Sequence, residues 1–184
     1  MSQTDFGKNF HEKLGSQIKN AMRKAFFDLL KDRLNDDPPD CDWLITLFTE
    51  LRDRLCNLTP NRNDLKSQIY EILDIELFSQ MIRHNAYKPE DLYKLVHFTF
   101  GKIKIMGSIA KEPEIDAIIN KLNSMMMSND FKFSEFIPVF IGEFHNSIQD
   151  IEDGIALFKE QIKNGTFGQQ EKQSTNSFIM KTGK

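Results

Sequence analysis

The sequence predicts an all-α fold: a single helical bundle-like domain of six or seven helices that ends in a long heptad helix. Three observations carry that prediction. Apolar residues recur three and four positions apart through most of the chain, the spacing of one helix face. Gly and Pro are sparse, 9 and 6 of 184 residues, and the prolines mark starts or breaks of the periodic stretches. Bulky apolar mass is abundant, with 16 Phe and 8 Met. A chain of this length can bury about 70% of its unfolded surface, enough for one real core.

In the first helix, Leu14, Ile18, Met22, Ala25, Phe26, Leu29 and Arg33 fall on one face, widened by Leu30 and Leu34. Adjacent Pro38 and Pro39 end it, because neither can continue the hydrogen-bond ladder. Asp42 is placed to cap a second helix with Trp43, Leu44, Leu47, Phe48, Leu51 and Leu55 inside and Glu50, Arg52, Asp53 and Arg54 outside. Thr59 and Pro60 form a stop-and-restart signal, with Asn63 an equally good boundary. Leu65, Ile69, Ile72 and Leu73 carry the third helix; Asp74 either breaks it or lies within a helix running on to Ile82.

Pro89, Glu90 and Asp91 make a first turn, the proline preset for helix and the acids facing the positive dipole end. Leu92, Leu95, Val96, Thr99, Phe100 and Ile103 follow as its buried stripe. The β-branched residues at 102–105 permit a strand, but a lone short run among helices makes a poor sheet, so helix is kept. Pro113 opens the next helix, with Ile118, Ile119, Leu122, Met125 and Met126 inside. The last helix, residues 134–163, carries Ile137, Ile141, Phe144, Ile148, Ile151, Ile155, Phe158 and Ile162 at alternating spacings of four and three. That is a heptad seam, able to close the core or to meet another chain. Residues 1–164 are thus expected to form the helical domain, and residues 165–184 a polar, flexible tail with Phe178, Ile179 and Met180 as a docking patch.

The charge balance narrows the function classes. Net charge is -3, and no basic stripe of the kind nucleic-acid binders display is present. No apolar run reaches the roughly 20 residues of a membrane-spanning helix. Cys41 and Cys56 flank the second helix about 22 Å apart, too far for a disulfide, and reduced thiols favour a cytoplasmic or other intracellular setting. With no leader ahead of them, the glycosylation-like triplets at Asn57 and Asn164 read as chance matches.

No constellation of catalytic type stands out, so neither an enzyme nor a cofactor is expected. There is no phosphate-binding glycine loop. His11, His84, His97 and His145 lack metal-ligand spacing; His97 reads as a satisfied core or boundary residue and His84 as a helix-end cation. Glu71, Asp74 and Glu76 cluster, but a di-iron bundle would also need Glu-x-x-His, which is absent. What remains points to protein recognition. Arg52 and Arg54, followed by Arg62, offer guanidinium forks for a phosphate or acidic partner, or simply a solvated face paired with Glu50 and Asp53. Met126 and Met127, in a run of three methionines that cannot share one buried face, offer an adaptable apolar surface.

One block carries a family likeness. Trp43-Leu44 opens a helix that runs to Glu50, Leu51, Arg52, Asp53, Arg54 and Leu55, then to Pro60, Asn61 and Arg62. Glu71 to Leu77, Gln80 to His84 and Asp91 to Leu95 continue the pattern. In this order the chain resembles the T-complex protein 11 family, as a short or divergent member, over residues 38–105. It departs from the family's pattern at residues 105–113, and the family's members run to several hundred residues. The resemblance implies a helical regulator tied to cyclic-AMP signalling and, in animals, to sperm function, with no catalytic set to transfer. The expectation is a non-enzymatic protein-interaction or regulatory protein with an unidentified protein partner. The alternative is a structural component of a larger assembly, as a homo- or hetero-oligomer.

Overall fold

The computed structural model describes residues 3–37, 39–84 and 86–165, with side chains from Gln17 onward. The expected tail therefore lies, from Thr166 on, outside the described residues, as does the side chain of Leu14. The element order is α1 (Gln3–Leu34), α2 (Asp42–Asn57), α3 (Asn63–Ile72), α4 (Ile75–Arg83), α5 (Pro89–Met106), a 3-10 turn (Ile109–Lys111), α6 (Glu112–Met126) and α7 (Phe133–Lys163). The all-α fold class is as the periodicity predicts, and the described residues contain no strand. The β-branched run at 102–105 is the last turn of α5 and the heptad stripe is α7.

The alternatives left open by the sequence are decided by caps. Asp74 stops α3 and starts α4: its carboxylate accepts from the N–H groups of Glu76 at 2.9 Å and Leu77 at 3.0 Å. Those two donors have no intrahelical acceptor, so a side chain that satisfies both favours a new helix start over a continuous one. After Pro60 the chain turns once before α3 begins at Asn63. Two expectations fail. The residue that precedes α2 is Cys41, whose side chain makes no cap bond, while Asp42 sits one position inside and bonds Arg83 at 3.0 Å. On α1 the buried residues are Leu30 and Leu34, whereas Ile18, Met22 and Leu29 are exposed. The face that widens the stripe is the one the neighbours cover.

Contacts divide the chain into two units, Met1–Ile148 and Gln149–Lys184. In the first, the opening half of α7 supplies a spine of fully buried Phe136, Phe140 and Phe144. Their ring centroids follow at 6.2 and 6.0 Å, and Phe100 of α5 meets Phe140 edge-on at 6.1 Å. Such offset and edge-to-face pairs add to the burial of each ring. α1 runs antiparallel to this half: Arg23 donates to Asn146 at 2.6 Å, and Lys31 pairs with Glu135 at 3.3 Å. Gly142 lets Phe27 approach, since a β-carbon there would sit 3.4 Å from its ring. α2 packs against α3 and α4, with Phe48 stacked on Phe78 at 4.2 Å, and α5 lies along α6.

In the second unit, the described residues are the closing part of α7 and its end. Gln149 donates to Asp153 at 2.9 Å, one turn on. Gly165 adopts φ +65°, the left-handed geometry that glycine accepts freely at a helix terminus.

Candidate interaction surfaces

The three candidate arginines do not converge on one open site. Arg52 of α2 turns toward α3, where its guanidinium lies 4.4 Å over the ring of Tyr70 and donates to Asp53 at 3.1 Å. The phenol of Tyr70 donates to the same carboxylate at 3.3 Å. The Asp53 charge, with burial second, holds the phenol above its ordinary pKa. Arg54 turns toward α7 and meets His145 Nδ1 at 2.9 Å. Arg62 stands exposed before α3 and grips Asp64 with two donors, Nε at 2.8 Å and Nη2 at 2.6 Å. That fork holds the Asp64 carboxyl down to about 2 and raises the Arg62 guanidinium. Each guanidinium is engaged within the chain.

The methionine pair divides as the run of three requires. Met126 is buried at the end of α6, while Met127, one residue on, is 77% exposed. His97 is a satisfied side chain, contacting Asn123 Nδ2 at 3.2 Å and the Tyr93 ring at 4.0 Å. His84 lies at the C-terminal end of α4, where the sequence places it. Cys41 and Cys56 are free, buried thiols, and burial pushes both above the ordinary thiol pKa. Among the described residues no group of three or more His, Cys, Asp or Glu is placed to hold a metal ion. Among them, too, no helix is long and apolar enough to cross a membrane.

Two apolar surfaces stand out instead. On α7 the stripe is buried at Ile137, Ile141, Phe144 and Ile148, half-buried at Ile151, and exposed beyond: Ile155 37%, Phe158 46% and Ile162 54%. The other is a groove between the end of α3, α4 and the start of α5, into which Ile72, Leu77, Met81 and Leu95 project. Sequence reasoning counted the groove positions as helix stripe and so as core, and left the α7 seam open between closing the core and meeting another chain. The available signal was quantity: α3, α4 and α5 carry more apolar positions than their neighbours cover.

The comparisons with known proteins agree with the helical block read from the sequence. A family model described as T-complex protein 11 matches residues 3–151. The human T-complex protein 11 homolog is 36% identical over 84 residues, which cover 45% of this chain and 17% of that protein. The human T-complex protein 11-like X-linked protein 1 is 36% identical over 110 residues, 59% of this chain and 20% of that protein. The mouse T-complex protein 11 is 32% identical over 68 residues, 36% of this chain and 12% of that protein. The chain thus matches about a fifth or less of the length of these curated relatives. No solved structure matches it. Since the family model spans α1 to α6 and the buried part of α7, the chain belongs to the T-complex protein 11 family.

Proposed function

We propose that this chain is a non-catalytic helical interaction module with a regulatory role. One observation carries the reading: the heptad stripe of α7 keeps its spacing beyond Ile148, its last buried member. Ile155 and Ile162, 37% and 54% exposed, hold bulky apolar groups in water at successive a positions of a coiled-coil seam. Apolar surface held in this repeating form favours a second helix of matching stripe, because association removes it from water. Capture from source cells with the wild-type chain and with an Ile155→Asp, Ile162→Asp variant tests this. Partners held by the wild type and lost from the variant are expected; equal recovery from both sinks the reading.

A second reading, a structural component of an assembly, is favoured by one detail. With Ile141, Ile148, Ile155 and Ile162 as a positions, Glu152 and Lys159 both fall at e. Antiparallel pairing of two copies sets Ile155 across from Phe158 and Glu152 beside Lys159 of the other copy, so two opposite-charge pairs flank the seam on its e edge. Light scattering over a concentration series separates the readings: a dimer that the double variant abolishes supports self-assembly, and a monomer throughout removes it.

Family membership extends the first reading to cyclic-AMP-linked signalling, within cells where buried thiols such as Cys41 and Cys56 stay reduced. Cyclic-AMP-dependent kinase activity in cells expressing the chain is expected to differ from that in cells expressing the double variant. Identical activity removes the extension.

A further inference from the structure

The groove between α3, α4 and α5 carries an inference of its own. It measures about 260 Å³, below the roughly 300–1,000 Å³ usual for small-molecule pockets, and suits a few anchoring side chains better than a whole ligand. Its apolar lining is layered. Phe48 and Phe78, stacked and buried, belong to the core, while Ile72 and Leu77 stand 48% and 55% exposed. The same short helices bury Ile69 and Ile82 fully or nearly so, so Ile72 and Leu77 lie off their core faces.

The charges around that face are one-sided. Glu71, Asp74 and Asp91 line the groove against a single Lys94. Asp74 and Asp91 are fixed in place by capping: Asp74 accepts the two N–H groups at the start of α4, and Asp91 accepts the Lys88 N–H at 3.2 Å. Glu71 has no hydrogen-bond or ion-pair partner among the described residues. An apolar trough edged by carboxylates repels phosphate-bearing surfaces, both nucleic acid and anionic bilayer. It complements a segment with apolar anchors between cations, and opposite charge at the rim sets orientation and encounter rate. Helix-in-groove recognition places such anchors at i, i+3, i+4 and i+7.

We propose that this groove docks an amphipathic helix of another protein, apolar on one face and rich in Lys or Arg along its edges. The proposal deepens the interaction-module reading but rests on a different surface, so its failure leaves the α7 test untouched. The probe is a pair of designed helical peptides with Leu at every a and d position, one filled elsewhere with Lys and the other with Glu. Fluorescence anisotropy on the full chain is expected to show the Lys peptide binding roughly tenfold tighter, about 1.4 kcal/mol. Leu77→Ser is expected to weaken the Lys peptide by a similar factor, and Glu71→Lys by several-fold. Ile109→Ser, at an exposed apolar site off the groove, is expected to change nothing. Leu77 and Glu71 are both exposed, and circular dichroism is expected to show each variant folded as wild type. Equal binding of the two peptides overturns the proposal. So does Lys-peptide binding that Leu77→Ser leaves intact, because general acidity then explains it. Self-association abolished by Leu77→Ser would assign the groove to a second copy and equally overturn it.

Discussion

Arg62 and Asp64 form a well-shaped pair in full contact with water, and the two facts have different consequences. Geometry sets the titration: two charge-assisted bonds stabilise the carboxylate, so its folded pKa lies at about 2, below the ordinary 3.8. Because the folded value is depressed, the stability it contributes is present above the unfolded pKa and fades as pH falls through about 2. Exposure keeps that contribution small. Carboxyl-detected NMR is expected to place the Asp64 midpoint near 2, and Arg62→Ala to return it toward 3.8. A midpoint unmoved by the substitution would show that the fork does not hold the charge. The buried thiols behave in the opposite sense. Burial disfavours the thiolate of Cys41 and Cys56, so iodoacetamide labelling near neutral pH is expected to be slow in the native chain and rapid in urea. Fast native labelling would show the two sites open to solvent. Residue types at these positions were legible in the sequence, as was the local pairing of Arg52 with Asp53, but the partners on other helices were not. Arg52 and Tyr70 are 18 positions apart and Arg54 and His145 are 91 apart, so only the packing of α2 against α3 and α7 reveals that the forks are occupied.

At the scale of the element, the helix starts were readable where one residue settles the matter. Pro89 opens α5 because its ring presets φ and its missing N–H is not needed there. The break at Asp74 needed coordinates, since Asp favours a cap but is tolerated in a helix interior when tertiary packing holds the helix together. Its role gives a direct expectation: Asp74→Ala removes the acceptor for two N–H groups and should cost about 1 kcal/mol in urea unfolding. No loss would mean that α4 starts without it. Gly101 is the complementary case. It lies inside α5, and a β-carbon there meets nothing within 4 Å, so Gly101→Ala gains helix propensity without a clash. Urea unfolding is expected to show a gain of about 1 kcal/mol; a loss would reveal a close neighbour at that face. The buried face of α1 was the least legible. Ile18, Met22 and Leu29 have the better spacing, but Phe26 stacks on Trp43 at 5.5 Å and Phe27 meets Gly142, and these neighbours select Leu30 and Leu34 instead.

Over the whole molecule, one sequence pattern has two physical fates. The α7 stripe is uniform in the sequence, isoleucine or phenylalanine at each of eight positions, yet every fully buried member lies at or before Ile148. Period alone cannot separate them, because a heptad reports that a helix has an apolar side and says nothing about what covers it. The division predicts unequal costs for the same chemical change. Ile148 is completely buried, so Ile148→Ala removes packed methyl and methylene groups and leaves a cavity, at about 2–5 kcal/mol in urea unfolding. Ile162, 54% exposed, loses little burial, and Ile162→Ala should stay within about 0.5 kcal/mol. If the exposed end of the stripe is an interface, that second substitution should still weaken association, since its side chain is held for another helix rather than for this core. Similar unfolding costs at the two positions would place both in one core and remove the physical basis for an interface on α7.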